Sequence, residues 1–214
     1  MTDGFITALS YALSQNRKND ADSYAFFRAA VLIPLIVNKG ELQILFEVRS
    51  KRLNWQPGEI CFPGGKIDRM DCSPVDAAVR ETVEELGVRK EQIKIIGSLD
   101  EIISPIGVRL YPAVGQLRAD SLSLNKAEVA EVFTVPIKWL LDAKPKEAIM
   151  EMGTKPLKDF PFELLPEYPA TWRARRTYPV LFYQYNNYVI WGITAYVLNK
   201  FVNMIKDAPD YARF

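Results

Sequence analysis

The stretch "CFPGGKIDRMDCSPVDAAVRETVEELGV", residues 61–88, contains a Gly-Gly turn, a helix start and a dense run of carboxylates. The helix start is well marked, because Ser73 suits the N-cap, Pro74 suits the first helical position and Asp76 suits the positive end of the helix dipole. Gly87 suits the left-handed position that ends a helix. The stretch therefore predicts a glycine turn that leads directly into a helix.

Three carboxylates, Glu81, Glu84 and Glu85, fall close together on this predicted helix. Residues three or four apart are neighbours on a helix, so the three side chains share one side of it. Arg80 lies among them and can brace one carboxylate through a bidentate contact. The opposite side carries a stripe that we expect to face the core: Val75, Val79, Thr82 and Leu86.

Two interpretations of the crowded carboxylates are open. Like charges on neighbouring helix positions cost a few tenths of a kcal/mol per pair, which a solvated helix face tolerates. Alternatively, a hard divalent cation binds them, since Mg²⁺ takes a few carboxylates together with waters and substrate phosphates. The Gly64-Gly65 pair after a short strand favours the second interpretation, because glycine lets the backbone come close to a ligand or a metal.

The rest of the chain predicts strands on both sides of this helix and a second long helix at the end. Branched residues and turn signals indicate two hairpins, one of residues 29–37 with 42–50 and one of 180–185 with 188–190. Further strands are predicted at 93–98, 108–117 and 132–136. Helices are predicted at 137–143 and 191–206. This order predicts an α/β fold, an α/β/α sandwich around a central mixed β-sheet.

We expect one principal domain over residues 25–206. Residues 1–24 are predicted to form an N-terminal helix and linker, and residues 207–214 a C-terminal tail. Residues 144–179 carry six prolines and are predicted to be loop with extended pieces, an insertion or a lid rather than a domain boundary.

The composition excludes several classes of protein. A net charge of +1 over 214 residues gives no general attraction to nucleic acid. The absence of histidine excludes a histidine-ligated zinc and a histidine general base. Two cysteines are too few for a disulfide framework, so a cytoplasmic protein is the expectation, and "YVIWGITAYVL" is too short to span a membrane.

The stretch from Gly65 to Val88 resembles the signature of the Nudix hydrolases, G-x5-E-x7-R-E-U-x-E-E-x-G-U, where U is aliphatic. It departs from the signature at Thr82, and its first half is one residue longer, with Asp71 near the place of the early glutamate. The resemblance implies hydrolysis of a diphosphate with Mg²⁺ or Mn²⁺ as cofactor. It assigns the metal to Glu81, Glu84, Glu85 and the Gly64 carbonyl, with Arg80 and the three glutamates as the catalytic set.

Upstream, "VRSKRLNWQPGEICFPGG" is similar to the signature of the coenzyme A pyrophosphatase group, S-x3-R-x3-G-x3-F-P-G-G. Asn54 stands where that signature has arginine, and Arg52 is the nearest substitute. The similarity implies coenzyme A or a derivative as substrate, with adenosine 3′,5′-bisphosphate and 4′-phosphopantetheine as products. The substrate-binding residues that it implies are Arg49, Ser50, Arg52, Asn54, Gly58, Phe62 and Gly65.

Alternatives stay open at this point. Asn54 favours another nucleotide diphosphate, such as ADP-ribose or a dinucleoside polyphosphate, and a non-catalytic nucleotide-sensing module on the same fold is a third reading. The general base is Glu81, Glu84 or a carboxylate outside the signature, for which Glu101, Glu128 and Glu131 are candidates. A small-molecule nucleotide diphosphate is the expected partner, without nucleic acid or membrane, and a homodimer is an open possibility.

Overall fold

A mixed sheet of eight strands lies at the centre of the chain in a computed structural model that describes residues 27–119 and 121–208. Its strands are β1 (Phe27–Asn38), β2 (Glu41–Arg49), β3 (Ile60–Cys61), β4 (Gly64–Lys66), β5 (Ile93–Ser98), β6 (Ile102–Ile103), β7 (Val108–Leu117) and β8 (Val129–Pro136). The main path runs β3-β2-β1-β7-β5, with β4 paired to β1, β6 to β7 and β8 to β2. The β1–β7 pair is parallel and its neighbours are antiparallel, which confirms the predicted mixed sheet.

A second sheet of three strands and three helices completes the described part of the chain. The sheet has the order β11-β10-β9, from β9 (Lys146–Thr154), β10 (Arg173–Tyr185) and β11 (Tyr188–Trp191). The helices are α1 (Pro74–Leu86), α2 (Ile137–Asp142) and α3 (Gly192–Lys206), and a 3₁₀ turn covers Lys90–Gln92. Among these described residues, no helix is both long and apolar enough to cross a bilayer.

Alternation along β2 divides the interior into two cores, one on each face of the central sheet. Ile44 and Phe46 pack with residues of α2, α3 and the second sheet, whereas Leu45 packs on the other face with the buried residues of α1. Successive side chains of a strand point to opposite faces, so both faces are covered. Helices on both sides of a mixed sheet confirm the predicted α/β/α sandwich.

The ends of α1 follow the sequence signals. The Ser73 hydroxyl accepts a hydrogen bond from the Asp76 backbone N–H at 3.2 Å, which satisfies one of the free donors of the first turn. Gly87 ends the helix at φ 64°, a left-handed conformation that glycine adopts without a steric penalty. Both predicted caps are confirmed, and they fix where the three carboxylates stand.

Both predicted hairpins are present. Asn38 pairs with Glu41 across Lys39 and Gly40, which have φ values of 51° and 79° as a two-residue turn of two left-handed residues requires. The second hairpin pairs Tyr185 with Tyr188.

The Pro-rich stretch is more regular than predicted. Residues 144–179 include all of β9 and the first part of β10, which pair antiparallel with Pro179 opposite Ile149. The role of this stretch as an insertion or lid stays a prediction. The helix and linker predicted for residues 1–24 lie outside the described residues, as does most of the predicted tail.

Candidate active site

The Gly-Gly turn brings the backbone against the acidic side of α1. The Gly64 N–H donates a hydrogen bond to Glu85 Oε2 at 2.8 Å. A side chain on Gly64 would collide with the backbone carbonyl of Ala30, and a Cβ on Gly65 would lie 2.5 Å from the carboxyl carbon of Glu81. Both glycines are therefore needed for this close approach between turn and helix.

Arg80 ties the carboxylates of α1 to the loop before it. Its Nε and Nη2 donate to the two oxygens of Asp71 at 3.1 Å each, and its Nη1 donates to Glu81 Oε1 at 2.8 Å. The Arg80 guanidinium also lowers the pKa of Asp71 through these hydrogen bonds. Asp71, which stands near the place of the early glutamate of the signature, thus braces the loop, and Glu84 lies 3.5 Å from the same guanidinium.

The three carboxylates differ in burial. Glu84 is exposed, Glu81 is partly buried and Glu85 is only 4% exposed. Burial raises the pKa of Glu85 to about 8, and burial also raises the pKa of Glu81. Removing a carboxylate from water disfavours its charged form, so these groups gain most from a cation placed beside them.

Glu47, which was not among the predicted site residues, adds a fourth carboxyl beneath Glu85. Its side chain is 1% exposed, and its Oε1 has no hydrogen-bond partner in the structure, which describes residues 27–119 and 121–208. Burial, together with the charge of Glu85, raises the pKa of Glu47 to about 9. Alternation along β2 places Glu47 two residues after Leu45, on the face that packs against α1, which the sequence alone does not show.

Among the three predicted candidates for a general base outside the signature, Glu128 is the one whose charge acts on the acidic cluster. Its charge contributes to the raised pKa values of Glu47, Glu81 and Glu85. Glu101 instead lies 4.0 Å from the Arg109 guanidinium. Burial and the charge of Glu131 raise the pKa of the Tyr188 hydroxyl, so Glu131 acts on that group instead.

The upstream residues implied as substrate-binding form a loop that folds back on the end of β2. Arg49 Nη2 donates to the Trp55 carbonyl at 3.3 Å, and the Gly58 N–H donates to the Arg49 carbonyl at 3.1 Å. The Ser50 hydroxyl accepts a hydrogen bond from the backbone N–H of Arg52 at 3.3 Å.

Some of the residues implied as substrate-binding are exposed to solvent and others lie in the core. Arg52, Asn54 and Gly58 are exposed. Phe62 is buried, with its ring centroid 4.9 Å from that of Phe46, so it anchors the start of the glycine turn from the core.

The donor chemistry of the acidic cluster fits a hard divalent cation, because its ligands are carboxylate oxygens in a partly buried setting. Within the described residues, no three acidic, histidine or cysteine side chains already stand close enough together to bind one ion. Arg80 holds Glu81 in this arrangement, so an ion must compete with the guanidinium for that carboxylate.

Comparison with known proteins identifies the family. The NUDIX domain model matches residues 26–159. The chain is 30% identical over 207 residues to Nudix hydrolase 3 of Caenorhabditis elegans, an alignment that covers 94% of this chain and 82% of the relative.

Two further relatives carry names that specify a substrate. The chain is 36% identical over 132 residues to the peroxisomal coenzyme A diphosphatase NUDT7 of Mus musculus, covering 61% of this chain and 55% of that protein. It is 39% identical over 120 residues to the mitochondrial coenzyme A diphosphatase NUDT8 of Homo sapiens, covering 54% and 51%. The chain thus spans about half the length of these two relatives. The domain match and the nematode relative together show that this chain belongs to the Nudix hydrolase family.

Proposed function

We propose that this protein hydrolyses the diphosphate bond of coenzyme A or one of its derivatives, giving adenosine 3′,5′-bisphosphate and 4′-phosphopantetheine. The observation that carries the proposal is the contact of Glu85 with the Gly64 N–H, which sets a buried carboxylate beside the glycine turn. The names of the mouse and human relatives support coenzyme A as the substrate class. Members of the Nudix family generally need a divalent cation, and Mg²⁺ or Mn²⁺ is proposed here.

Phosphoryl transfer depends on positioning and charge neutralisation, and the residues of the site suit both tasks. When bound, a divalent cation supplies neutralising charge to the diphosphate and activates a water molecule. Glu81, Glu84, Glu85 and the Gly64 carbonyl would hold it.

Arg80 fixes Glu81, and the loop that carries Asp71, in position relative to α1 through its hydrogen bonds to both carboxylates. This brace holds the carboxylates in place as the substrate arrives.

Glu128 is the proposed acceptor of the proton of the attacking water. Its charge acts on Glu81 and Glu85, two of the carboxylates that would hold the ion, and on Glu47. A general base must lie within hydrogen-bond reach of the proton that it takes, directly or through one water. Glu128→Gln should therefore lower kcat more than Glu101→Gln or Glu131→Gln, by about 10²-fold.

A second substrate class is favoured by one observation. Asn54 is exposed on the loop after β2 and brings no positive charge to the position where the coenzyme A signature has arginine. ADP-ribose or a dinucleoside polyphosphate would not need that charge.

Hydrolysis assays on coenzyme A, its oxidised and acylated forms, ADP-ribose and diadenosine tetraphosphate, each with Mg²⁺ or Mn²⁺, separate the two classes. The coenzyme A compounds are expected to give the highest kcat/KM. Should coenzyme A be the poorest substrate of the panel, the proposal for it is wrong. In the same panel, Asn54→Arg is expected to raise kcat/KM for coenzyme A and to leave ADP-ribose unchanged.

A further inference from the structure

Glu47 is a buried acid that the family signature does not include. It lies near the end of β2, a strand whose central residues are otherwise mostly apolar, and its side chain is 1% exposed. One of its oxygens, Oε1, has no hydrogen-bond partner within the described part of the chain. Burying a carboxyl group without a partner is unfavourable unless something else satisfies it.

The register of the sheet shows which way Glu47 points. It pairs with Cys61 on β3 and with Val132 on β8, and directly opposed residues of paired strands share a face. That face also carries Leu45, which packs with the buried residues of α1. Glu47 therefore extends toward α1, where it interacts electrostatically with the carboxyl of Glu85.

The nearest cation on the same strand is committed elsewhere. Arg49 attracts Glu47, yet its Nε and Nη2 donate to the Trp55 carbonyl at 3.4 and 3.3 Å. The nearby Gly64 N–H donates its hydrogen bond to Glu85 Oε2 and not to Glu47. The free oxygen of Glu47 is thus left beneath a carboxylate that we assign to a divalent cation.

We propose that Glu47 is a further carboxylate of the divalent-cation site, which adds its negative charge behind Glu85 when an ion is bound. This inference rests on the proposed function, because it concerns the same site. A cation near Glu85 would satisfy two buried carboxylates at once, which accounts for an acid at this buried position of β2. The alternative is that Glu47 is a neutral structural acid that only donates a hydrogen bond to Glu85.

Glutamine separates these two roles, because it keeps the size and donor capacity of a neutral acid and removes the charge. The measurement is the affinity of the full chain for Mn²⁺ without substrate, by isothermal titration calorimetry and by the paramagnetic resonance signal of free Mn²⁺. Glu47→Gln is expected to bind Mn²⁺ about tenfold more weakly, or weaker still, the loss typical when groups that support a metal site are removed.

Glu41→Gln is the matched control. It removes the same charge from the same strand, at an exposed position six residues away on a strand that rises about 3.3 Å per residue. It is expected to bind Mn²⁺ as tightly as the unaltered protein. A similar loss in both variants would show that net charge alone is responsible and would overturn the inference.

Glu47→Asp keeps the charge and shortens the side chain, so it is expected to bind Mn²⁺ more tightly than Glu47→Gln. If circular dichroism and thermal unfolding show that Glu47→Gln does not fold, Glu47→Asp takes its place in the test. In that case an affinity equal to that of the unaltered protein would overturn the inference, since a shortened carboxylate that supports the ion must weaken its binding.

Two further results are distinguishable. If Glu47→Gln binds Mn²⁺ normally while Glu85→Gln binds it weakly, Glu47 is a structural acid and only this inference fails. If the unaltered protein neither binds Mn²⁺ nor hydrolyses any diphosphate of the panel, the proposed function fails and this inference fails with it.

Discussion

The two faces of the central sheet are built from the same strands but hold different chemistry. On one face, Phe46 of β2 lies between Phe62 and Phe133, with ring centroids 4.9 and 5.5 Å apart, in a core of apolar residues. On the other, Leu45 begins a similar core against α1, yet Glu47 follows it and meets Glu85. A single alternating strand thus provides both a stabilising core and a site whose charges favour a ligand over the empty fold.

On the acidic face, the burial of carboxyl groups disfavours their charged forms. Burial raises the pKa of Glu85 to about 8 and that of Glu47 to about 9, so the folded chain prefers to bind protons there. In the aromatic core, the buried Tyr183 hydroxyl is neutral and donates to Asn199 Oδ1. Changes on the aromatic face should therefore act on stability, and changes on the acidic face on activity.

Phe46→Ala is expected to give the largest effect, because it empties the centre of the aromatic face. Removing a fully buried phenylalanine costs about 3–5 kcal/mol in free energy of unfolding. Urea unfolding followed by fluorescence measures the loss, while activity per folded molecule should stay the same. Phe27→Ala, at an exposed end of β1, is the control and should change stability by under about 0.5 kcal/mol.

Glu85→Gln should show the reverse pattern. Because the amide cannot supply the charge that a divalent cation needs, kcat is expected to fall by about 10²-fold or more. The free energy of unfolding should not fall, since a neutral amide is easier to bury than a carboxylate. An unchanged kcat would favour a non-catalytic module or another site.

The two glycines of the turn offer a finer contrast. A Cβ on Gly65 would meet the movable carboxylate of Glu81, so Gly65→Ala is expected to lower activity about tenfold with little change in stability. A Cβ on Gly64 would meet fixed backbone at Ala30, so Gly64→Ala should lower stability by about 1–3 kcal/mol. Equal losses of stability in the two variants would contradict this assignment.

The acidic face should also give a pH dependence of stability in metal-free protein. The carboxyls of Glu47 and Glu85 have folded pKa values of about 9 and about 8, above the ordinary value of 4.5. The unfolded chain therefore loses these protons first. The stability that the protonated pair provides is fully present below about pH 4.5 and is lost progressively as pH rises to about 8 to 9.

Thermal unfolding of the metal-free protein between pH 6 and 9 measures this decline. The chain has no histidine, so few other groups titrate in that range. Glu47→Gln removes one of the two carboxyls and should flatten the profile. A profile of equal slope in both proteins would show that the pair does not set the pH dependence.

Local signals explain why α1 and the two hairpins could be predicted from the sequence. The Ser73 cap, the Gly87 terminus and the Lys39-Gly40 turn each act within a few residues, and each appears as predicted. The Nudix signature then grouped Gly64 and the carboxylates of α1, and the structure places them together.

What the sequence did not yield depends on contacts between distant segments. The pairing of β9 with β10 sets Pro179 opposite Ile149, and a proline in a strand argues against a strand when only neighbouring residues are considered. The short strands β4 and β6 exist only because β1 and β7 lie beside them. The burial of Glu47 likewise depends on a distant segment, because α1 covers its face of β2.

Cys61 ends β3 and Cys72 lies two residues before α1, and the structure makes them chemically unequal. Cys61 is partly buried opposite Glu47, and burial raises the pKa of its thiol, whereas Cys72 is exposed beside the Ser73 cap. Thiolate is the form that reacts with maleimides and iodoacetamides. The natural chain should therefore accept a single fluorescent or spin label at Cys72, next to the Asp71 that binds Arg80, without an engineered cysteine.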